Sequence, residues 1–329
     1  MKMIWLIILS AWFIGYILIG FLVRCWTKFT NRHFESNNIN LKGKTVLITG
    51  ANNGLGKGVA RFMANKGARV IMACRNMKTG KAVQDEIIRE SGNDQIILLN
   101  VDLSSFRSIH EFCSKVIATE TKIDILIHNA AYAGFIKKAV SADGIELTMA
   151  TNHYGPFLMT TLLMDLLKKS APRRIVVVTS KCHSVSYFTP QNEKHLNPID
   201  CWLPLYQYSN SKLANLLFTF ELARRLEGTG ITVNALHPGT ANSEIWQTES
   251  RIMNLSLYIF RKFLRSVNES IQTTLYVSLS KELENVTGKY FRNCKLGKTH
   301  KIAQNTSSQK ILWKESEKIV NQINLGLTL

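Results

Sequence analysis

Residues 45–56 read TVLITGANNGLG and decide the fold. An apolar, β-branched run is followed by a turn that contains Gly50, Gly54 and Gly56, and a helical stretch begins at the second of these glycines. Glycines let a backbone turn tightly and come close to a pyrophosphate, which the free N–H groups of a helix N-terminus then stabilise. A strand, a glycine-rich turn and a helix in this order predict the first unit of a dinucleotide-binding domain.

Outward from this unit, short apolar runs alternate with longer amphipathic stretches. Continuous apolar runs suit parallel strands that are covered on both faces. The alternation therefore predicts an α/β fold, a doubly wound parallel Rossmann sheet with helices on both faces. The predicted strands are 45–49, 69–74, 95–102, 123–129, 174–179 and 231–237, and the predicted helices are 54–65, 78–90, 106–119, 145–169 and 207–226.

The first residues predict a membrane anchor. No residue from 3 to 23 is charged, and a helix of that length spans about 30 Å, the thickness of a bilayer's hydrocarbon core. A buried core helix is the alternative. The run ends in FLV and Arg24 without a small-residue cleavage site, which favours a retained single-pass helix over a cleaved signal peptide. We expect an anchor at 1–24, a linker at 25–41, a catalytic domain at 42–300 and a C-terminal tail at 301–329.

The charge around the anchor predicts its orientation. One lysine precedes the apolar segment, whereas Arg24, Lys28 and Arg32 follow it, so the positive-inside bias places the catalytic domain in the cytosol. Four N-x-S/T sequons would be glycosylation acceptors if that domain were lumenal. They begin at Asn254, Asn268, Asn285 and Asn305.

The whole chain is basic, with 41 Lys+Arg against 23 Asp+Glu and a net charge of +18. A nucleic acid, an anionic membrane surface or an anionic cofactor would each explain the excess. The basic residues are scattered, so we expect membrane lipid as a partner and no nucleic acid. The six cysteines form no C-x-x-C pair, so the sequence indicates neither a metal site nor a disulfide framework.

The end of the second predicted strand bears on the choice of cofactor. An NAD-binding domain usually carries a carboxylate there for the ribose 2′-hydroxyl, but this chain has Cys74 and Arg75. A guanidinium can bind a 2′-phosphate through charged hydrogen bonds. Arg75 therefore predicts NADP(H), unless it is simply a solvated residue at a strand end.

The candidate catalytic pair is Tyr208 and Lys212, in the sequence YSNSK. Their i, i+4 spacing puts both side chains on one face of a helix. A nearby ammonium lowers the pKa of a phenol, which makes it a better acid/base at neutral pH. Tyr206 is less suitable, because Asn210 follows it at the same spacing. Ser180 follows the fifth predicted strand, where its hydroxyl can bind a substrate carbonyl.

Together these motifs resemble those of the short-chain dehydrogenase/reductase family, over about residues 42–292. The spacing T-G-x-x-x-G-x-G is the family's glycine pattern, and the resemblance makes Asn152, Ser180, Tyr208 and Lys212 the catalytic residues. Ala131 departs from the glycine that the family prefers at its position. The resemblance implies these cofactor-binding residues: Gly50, Asn52, Asn53, Gly54, Leu55, Gly56, Arg75, Asp102, Leu103, Asn129, Ala130, Tyr208, Lys212, Pro238, Gly239 and Thr240.

Within the family, the motifs ACRN, NHYGPF, SKLAN and LHPGT look most like those of the membrane-anchored retinol dehydrogenase group. The resemblance implies NADP(H)-dependent interconversion of an apolar lipid aldehyde or ketone and its alcohol, an endoplasmic reticulum membrane and a homodimer. The segment 181–205, with Phe188, Trp202 and Leu205, is expected to form a wall of the substrate cleft, and 241–268 an amphipathic lid. The alternatives are a sterol or isoprenoid carbonyl reductase of the same family, or a catalytically silent cofactor-binding protein.

Overall fold

The computed structural model describes residues 19–22, 24, 25, 29, 32–133, 139–169, 173–199, 203–239 and 263–327. Within them, eight strands form one sheet in the order β3-β2-β1-β4-β5-β6-β7-β8. Strands β1 to β7 are parallel, and β8 adds an antiparallel edge. The strands are β1 (Thr45–Thr49), β2 (Arg69–Cys74), β3 (Ile96–Asn100), β4 (Ile125–His128), β5 (Arg173–Val178), β6 (Ile231–His237), β7 (Lys289–Arg292) and β8 (Lys295–Leu296).

Helices cover both faces of this sheet. The longer ones are α1 (Gly54–Asn65), α2 (Met77–Ser91), α3 (Phe106–Thr119), α4 (Gly155–Leu162), α5 (Pro204–Arg225), α6 (Gln272–Leu279) and α7 (Thr306–Leu327). Shorter helical segments occur at Leu147–Met149, Ala150–Tyr154, Met164–Lys168, Lys181–Val185, Glu193–Leu196, Val267–Ser270, Lys281–Leu283 and Lys301–Gln304. The doubly wound Rossmann architecture predicted from the sequence is confirmed.

Two apolar clusters hold the layers together, one on each face of the sheet. Leu47 belongs to the cluster beneath α3, α4 and α5, whereas its neighbours Val46 and Ile48 belong to the cluster beneath α1 and α6. Alternate residues of a strand point to opposite faces, so β1 supplies both clusters. All of its residues are buried, as expected for a central parallel strand.

The predicted helix 145–169 is interrupted. Residues Ala150–Tyr154 form a π-helical segment before α4. Pro156 lacks an amide hydrogen and cannot bond to the carbonyl of Asn152 four residues earlier, so the regular α-helical ladder fails here. This irregularity coincides with one of the predicted catalytic residues.

The residues assigned by sequence to a C-terminal tail include helix α7, which packs against the body of the fold. Leu312, Trp313 and Val320 belong to the core cluster on the α5 side. The Trp313 ring lies 4.9 Å from that of Phe157 and 6.0 Å from that of Phe218, centroid to centroid. The tail assignment missed this packing, although Leu312, Ser316 and Val320 recur at helical spacing.

Most of the predicted anchor lies outside the described residues, which include only 19–22 and Arg24 of it. Within the described part of the chain, every helix is too short or too polar to cross a bilayer. The residues after the anchor contact the catalytic domain: Arg24 forms a 2.8 Å ion pair with Glu269, and the Phe34 amide donates a hydrogen bond to Gln272 on α6.

Candidate active site

The glycine-rich turn between β1 and α1 forms a tight cradle. Gly50 and Gly54 have φ angles of +67° and +50°, a region that disfavours other residues. A Cβ at Gly56 would lie 2.2 Å from the Gly50 carbonyl oxygen, and a Cβ at Gly50 would lie 3.0 Å from Cα of Ala130. Leu55 follows on the first turn of α1, behind the N-cap residue Asn53. The turn leaves the amides at the N-terminus of α1 available for a phosphate.

Asn129 and Ala130 fasten the end of β4 to this turn. The hydroxyl of Thr49 accepts hydrogen bonds from both of their backbone amides, each at 3.0 Å. The Asn129 side chain donates to the Thr49 carbonyl at 2.9 Å. Ala131 is part-buried beyond them. Asn129 therefore fixes the relative positions of the two strand ends across which a dinucleotide would lie.

The predicted 2′-phosphate residue, Arg75, is exposed directly after β2. Its charge lowers the pKa of Tyr132 against the larger effect of burial, so Arg75 lies within electrostatic range of the loop after β4. Asn52 donates a 2.8 Å hydrogen bond to Thr79 at the start of α2. Lys57, on the first turn of α1, pairs with Glu86, with 2.8 Å between its ammonium nitrogen and the carboxylate.

Asp102 and Leu103 occupy the turn after β3. Asp102 accepts hydrogen bonds from the amide and the hydroxyl of Ser104, at 2.9 and 2.6 Å. Leu103 is buried, and its carbonyl oxygen would lie 2.3 Å from a Cβ at Gly155. These contacts fix the turn that follows β3.

Asn152 lies in the π-helical segment and is 1% exposed. Its side chain accepts a hydrogen bond from the Tyr132 amide at 2.7 Å and donates to the Tyr132 carbonyl at 2.8 Å. It also donates to the Ser211 hydroxyl at 2.9 Å. Asn152 thus connects the loop after β4 with the helix that carries the predicted acid/base.

Ser180, Tyr208 and Lys212 come together at the carboxyl end of β5. The Ser180 hydroxyl hydrogen-bonds with the Tyr208 phenol, and the Lys212 ammonium lies 5.5 Å from the centroid of the Tyr208 ring. The same ammonium donates to the carbonyl of Val178, the last residue of β5, at 3.1 Å. The i, i+4 spacing on α5 therefore places both side chains toward the end of one strand.

Burial dominates the electrostatics of this group. It raises the pKa of Tyr208, an effect that the hydrogen bond from Ser180 opposes. Burial also lowers the pKa of Lys212 to about 8. The net shift in the pKa of Tyr208 is thus opposite to the one expected from the sequence, because loss of hydration outweighs the hydrogen bond with Ser180. In this state the phenol is a proton donor at neutral pH.

Pro238 and Gly239 turn the chain after β6, and Thr240 lies outside the described residues. Gly239 has a φ of +94°, and a Cβ there would lie 2.7 Å from Nη1 of Arg265. Arg265 belongs to the predicted lid, 241–268, of which the structure describes 263–268. No sequence signal distinguished Arg265 from the other basic residues of that segment.

The described part of segment 181–205 contains both buried and exposed apolar residues. Phe188 is fully buried in the core and does not line the cleft. Val185, Tyr187 and Leu205 are exposed, and Trp202 lies outside the described residues. Tyr206 stacks on Tyr187, with 5.9 Å between ring centroids.

Cys182 and His183, which the sequence reasoning passed over, lie next to the catalytic group. The Cys182 charge acts on both Tyr208 and Lys212, and the His183 ring bonds to the Ser180 carbonyl at 2.5 Å. The sequence feature that could have identified them is their position directly after Ser180.

The residues present fit a nicotinamide dinucleotide. The glycine cradle excludes a Cβ at Gly56, a free helix N-terminus follows it, and the catalytic group lies at the same sheet edge. In such sheets ligands bind outside the carboxyl ends of the strands.

Several known proteins are similar to this chain in sequence. The family model described as short chain dehydrogenase matches residues 44–191. Retinol dehydrogenase 12 of Homo sapiens is 40% identical over 282 residues, 85% of this chain and 87% of the relative. Retinol dehydrogenase 14 of Homo sapiens is 39% identical over 298 residues, with 85% and 87% covered. Dehydrogenase/reductase SDR family member 13 of Bos taurus is 39% identical, with 85% and 74% covered.

Solved structures share the fold. An uncharacterized protein from Mycobacterium paratuberculosis superposes with a TM-score of 0.69 at 27% identity, covering 88% of this chain and 98% of the other. A short chain dehydrogenase from Shigella flexneri 2a str. 301, complexed with NADP, gives a TM-score of 0.60 at 20% identity, with 78% and 98% covered. The chain belongs to the short-chain dehydrogenase/reductase family, in its retinol dehydrogenase-like group, and is an oxidoreductase that uses a nicotinamide cofactor.

Proposed function

We propose that this protein is an NADP(H)-dependent, membrane-anchored oxidoreductase that interconverts an apolar lipid aldehyde or ketone, of the retinal type, with its alcohol. The observation that carries the proposal is the meeting of the Ser180 hydroxyl, the Tyr208 phenol and the Lys212 ammonium at the end of β5. The relatives named retinol dehydrogenase support the substrate class.

Two hydroxyl groups would bind the substrate oxygen. The Ser180 hydroxyl orients the carbonyl, and the Tyr208 phenol gives its proton to the oxygen as negative charge develops there. The bound nicotinamide supplies the hydride to the carbonyl carbon. A phenol whose pKa is raised by burial holds its proton at neutral pH, as the proton donor in carbonyl reduction must.

Lys212 and Asn152 position this group. The Lys212 ammonium holds the carbonyl of Val178, immediately before the Thr179-Ser180 pair, so it fixes the strand end that carries Ser180. Asn152 joins Tyr132 to Ser211, three residues beyond the phenol. Each polar side chain therefore has a partner that holds it in place, a condition for precise orientation of a substrate.

The preference for NADP(H) rests on Arg75. It is exposed at the end of β2, where an NAD-binding domain usually has a carboxylate. The bound NADP of the Shigella flexneri relative supports the same choice.

The apolar substrate and the membrane location are inferred together. Val185, Tyr187 and Leu205, in the segment that joins Ser180 to Tyr208 along the chain, are 59%, 72% and 50% exposed. Exposed apolar side chains of this kind suit a substrate that is delivered from lipid. An uncharged stretch at 3–23 would keep the enzyme at an endoplasmic reticulum membrane, with the catalytic domain in the cytosol.

Initial rates test the proposal. The full chain in detergent micelles is mixed with NADPH or NADH and with retinal, a sterol ketone, an isoprenoid aldehyde or a short water-soluble aldehyde. We expect the highest kcat/KM for NADPH with an apolar aldehyde, and a loss of the preference for NADPH over NADH in Arg75→Gln. Equal rates with both cofactors in the wild type would contradict NADP(H) dependence. Activity confined to the soluble aldehyde would contradict the lipid substrate.

A further inference from the structure

A buried cation lies beside the Pro238-Gly239 turn. Arg265 is 4% exposed. Its Nη1 donates a 2.7 Å hydrogen bond to the neutral side chain of Asn293, and within the described residues its Nε has no hydrogen-bond partner. A buried guanidinium is normally stabilised by an anion, and Asn293 does not provide one.

The carboxylate whose charge reaches Arg265 is already engaged. Glu269 raises the pKa of Arg265, but burial lowers it more. Glu269 accepts a hydrogen bond from Arg24 at 2.8 Å and another from the Ser266 amide at 2.7 Å. Arg292 and Arg24 also act on Arg265 as like charges, whereas Cys294 acts in the opposite sense. The one carboxylate near Arg265 in the described residues is therefore shared with a second guanidinium, that of Arg24.

His237, immediately before the Pro238-Gly239 turn, is also surrounded by basic groups. Burial lowers its pKa to about 3, and the groups that lower it further are all basic. They are Arg292, Arg265, His183 and Lys181. An electropositive region at the carboxyl edge of a parallel sheet is typical of a site for an anion.

The location of Arg265 indicates which anion it would bind. Nη1 lies 2.7 Å from the position that a Cβ of Gly239 would occupy, so the guanidinium touches the turn that holds the predicted cofactor-binding residues Pro238 and Gly239. Two residues later, Val267 packs on Gly58 of α1, with its Cγ1 2.6 Å from the position of a Cβ there. The segment that carries Arg265 thus contacts both the turn after β6 and α1, whose N-terminus attracts phosphate.

We propose that Arg265 is a ligand of the diphosphate of the nicotinamide dinucleotide. The inference rests on the proposed function, since it requires that the chain binds such a cofactor. A guanidinium donates several hydrogen bonds in one plane and suits phosphate oxygens. Asn293 holds one edge of the group, and the cofactor's diphosphate supplies the missing negative charge.

Calorimetric titration of the full chain in detergent micelles tests this assignment. The ligands are NADPH, NADH and adenosine 2′-monophosphate, which lacks a diphosphate. Arg265→Gln should raise the Kd of NADPH and of NADH by the same factor, at least about tenfold, and leave that of adenosine 2′-monophosphate unchanged. Arg75→Gln should show the complementary pattern, weakening NADPH and adenosine 2′-monophosphate and sparing NADH.

Two further variants distinguish a residue that binds the cofactor from one that has only a structural role. Arg265→Lys should recover part of the affinity, and Lys57→Gln, whose ammonium pairs with Glu86, should bind both dinucleotides like the wild type. The Tm of the ligand-free Arg265→Gln protein should equal or exceed that of the wild type, because an uncompensated buried charge has been removed.

A Kd for NADPH and NADH within twofold of the wild type would overturn the proposal. So would a lower Tm of the ligand-free variant together with weaker binding of all three ligands. If the wild type binds neither dinucleotide, the proposed function itself has failed.

Discussion

Tyr208 carries its phenol on the second turn of α5, 7% exposed and hydrogen-bonded with Ser180. The sequence motif led us to expect a lowered pKa, but burial in the ligand-free protein has the larger effect. A motif reports which groups are neighbours, and it does not report how much water each group loses. The role of Tyr208 as a proton donor therefore depends on its burial as well as on its spacing from Lys212.

Lys212 makes a prediction about stability. Burial lowers its pKa from 10.5 to about 8, so below pH 8 the folded protein bears the full cost of a buried ammonium, about 3 kcal/mol. Between pH 8 and 10.5 the unfolded state binds more protons, and this group makes the free energy of unfolding rise with pH. Urea unfolding of the wild type and Lys212→Met at pH 7.5, 8.5 and 9.5 measures the effect.

The matched variant matters because other lysines and tyrosines also titrate. The wild type should gain stability relative to Lys212→Met as the pH rises. Parallel curves would show that Lys212 keeps an ordinary pKa in the folded protein.

Among the elements, the β1–α1 turn depends most directly on its sequence. Gly56→Ala would bring a Cβ to 2.2 Å from the Gly50 carbonyl, so the turn must open and the cofactor site must distort, at a cost of about 1–3 kcal/mol. We expect the Kd for NADPH to rise by about tenfold or more in a variant that still folds. Fluorescence titration with NADPH measures it.

Gly43→Ala is the control for that experiment. Gly43 also has a positive φ, +74°, but a Cβ there would meet nothing within 4 Å. It should lower stability without changing the Kd for NADPH. Equal Kd values for the two variants would mean that the turn does not contact the cofactor.

Helix α7 gives a second prediction for an element. Trp313 packs against both Phe157 and Phe218, and the Arg225 guanidinium lies 4.2 Å from its ring centroid. Trp313→Ala should lower the free energy of unfolding by about 3–5 kcal/mol, measured in urea. The exposed neighbour Lys314 is the control, and Lys314→Ala should cost less than about 0.5 kcal/mol. Similar losses in both would show that α7 is not docked.

The contrast between β1 and β7 shows which elements can be predicted from the sequence. Strand β1 and helix α1 were predicted with the bounds that the structure has, because a buried apolar run and a glycine turn mark them. Strand β7, KYFR, has two buried residues between a lysine and an arginine, too short a signal to detect. The π-helical segment at Asn152 depends on the missing amide hydrogen of Pro156, and the packing of Arg265 on Gly239 arises from a contact distant in sequence.

At the scale of the whole molecule, the anchor and the catalytic domain are in contact. Arg24 at the end of the predicted anchor pairs with Glu269, and Arg265 lies near the same carboxylate. If the predicted anchor and the proposed role of Arg265 both hold, membrane attachment and the cofactor site share one group of charges. The net charge of +18 suits an anionic lipid surface.

Membrane attachment can be tested directly. After expression with membranes and washing in alkaline carbonate, the full chain should remain in the pellet, because about 20 apolar residues suffice to span a bilayer. A chain that begins at Cys25 should be largely released. Release of the full chain by carbonate would contradict the single-pass anchor.

The central claim is that Tyr208 donates the proton while a nicotinamide cofactor reduces an apolar carbonyl. Its most direct test is a single-turnover reaction of the full chain with deuterated NADPH and retinal, analysed by mass spectrometry of the alcohol. We expect one deuterium in the product of the wild type and a rate about 10²–10⁴ lower in Tyr208→Phe, with NADPH binding unchanged. An undeuterated alcohol, or an equal rate in the variant, would contradict the account.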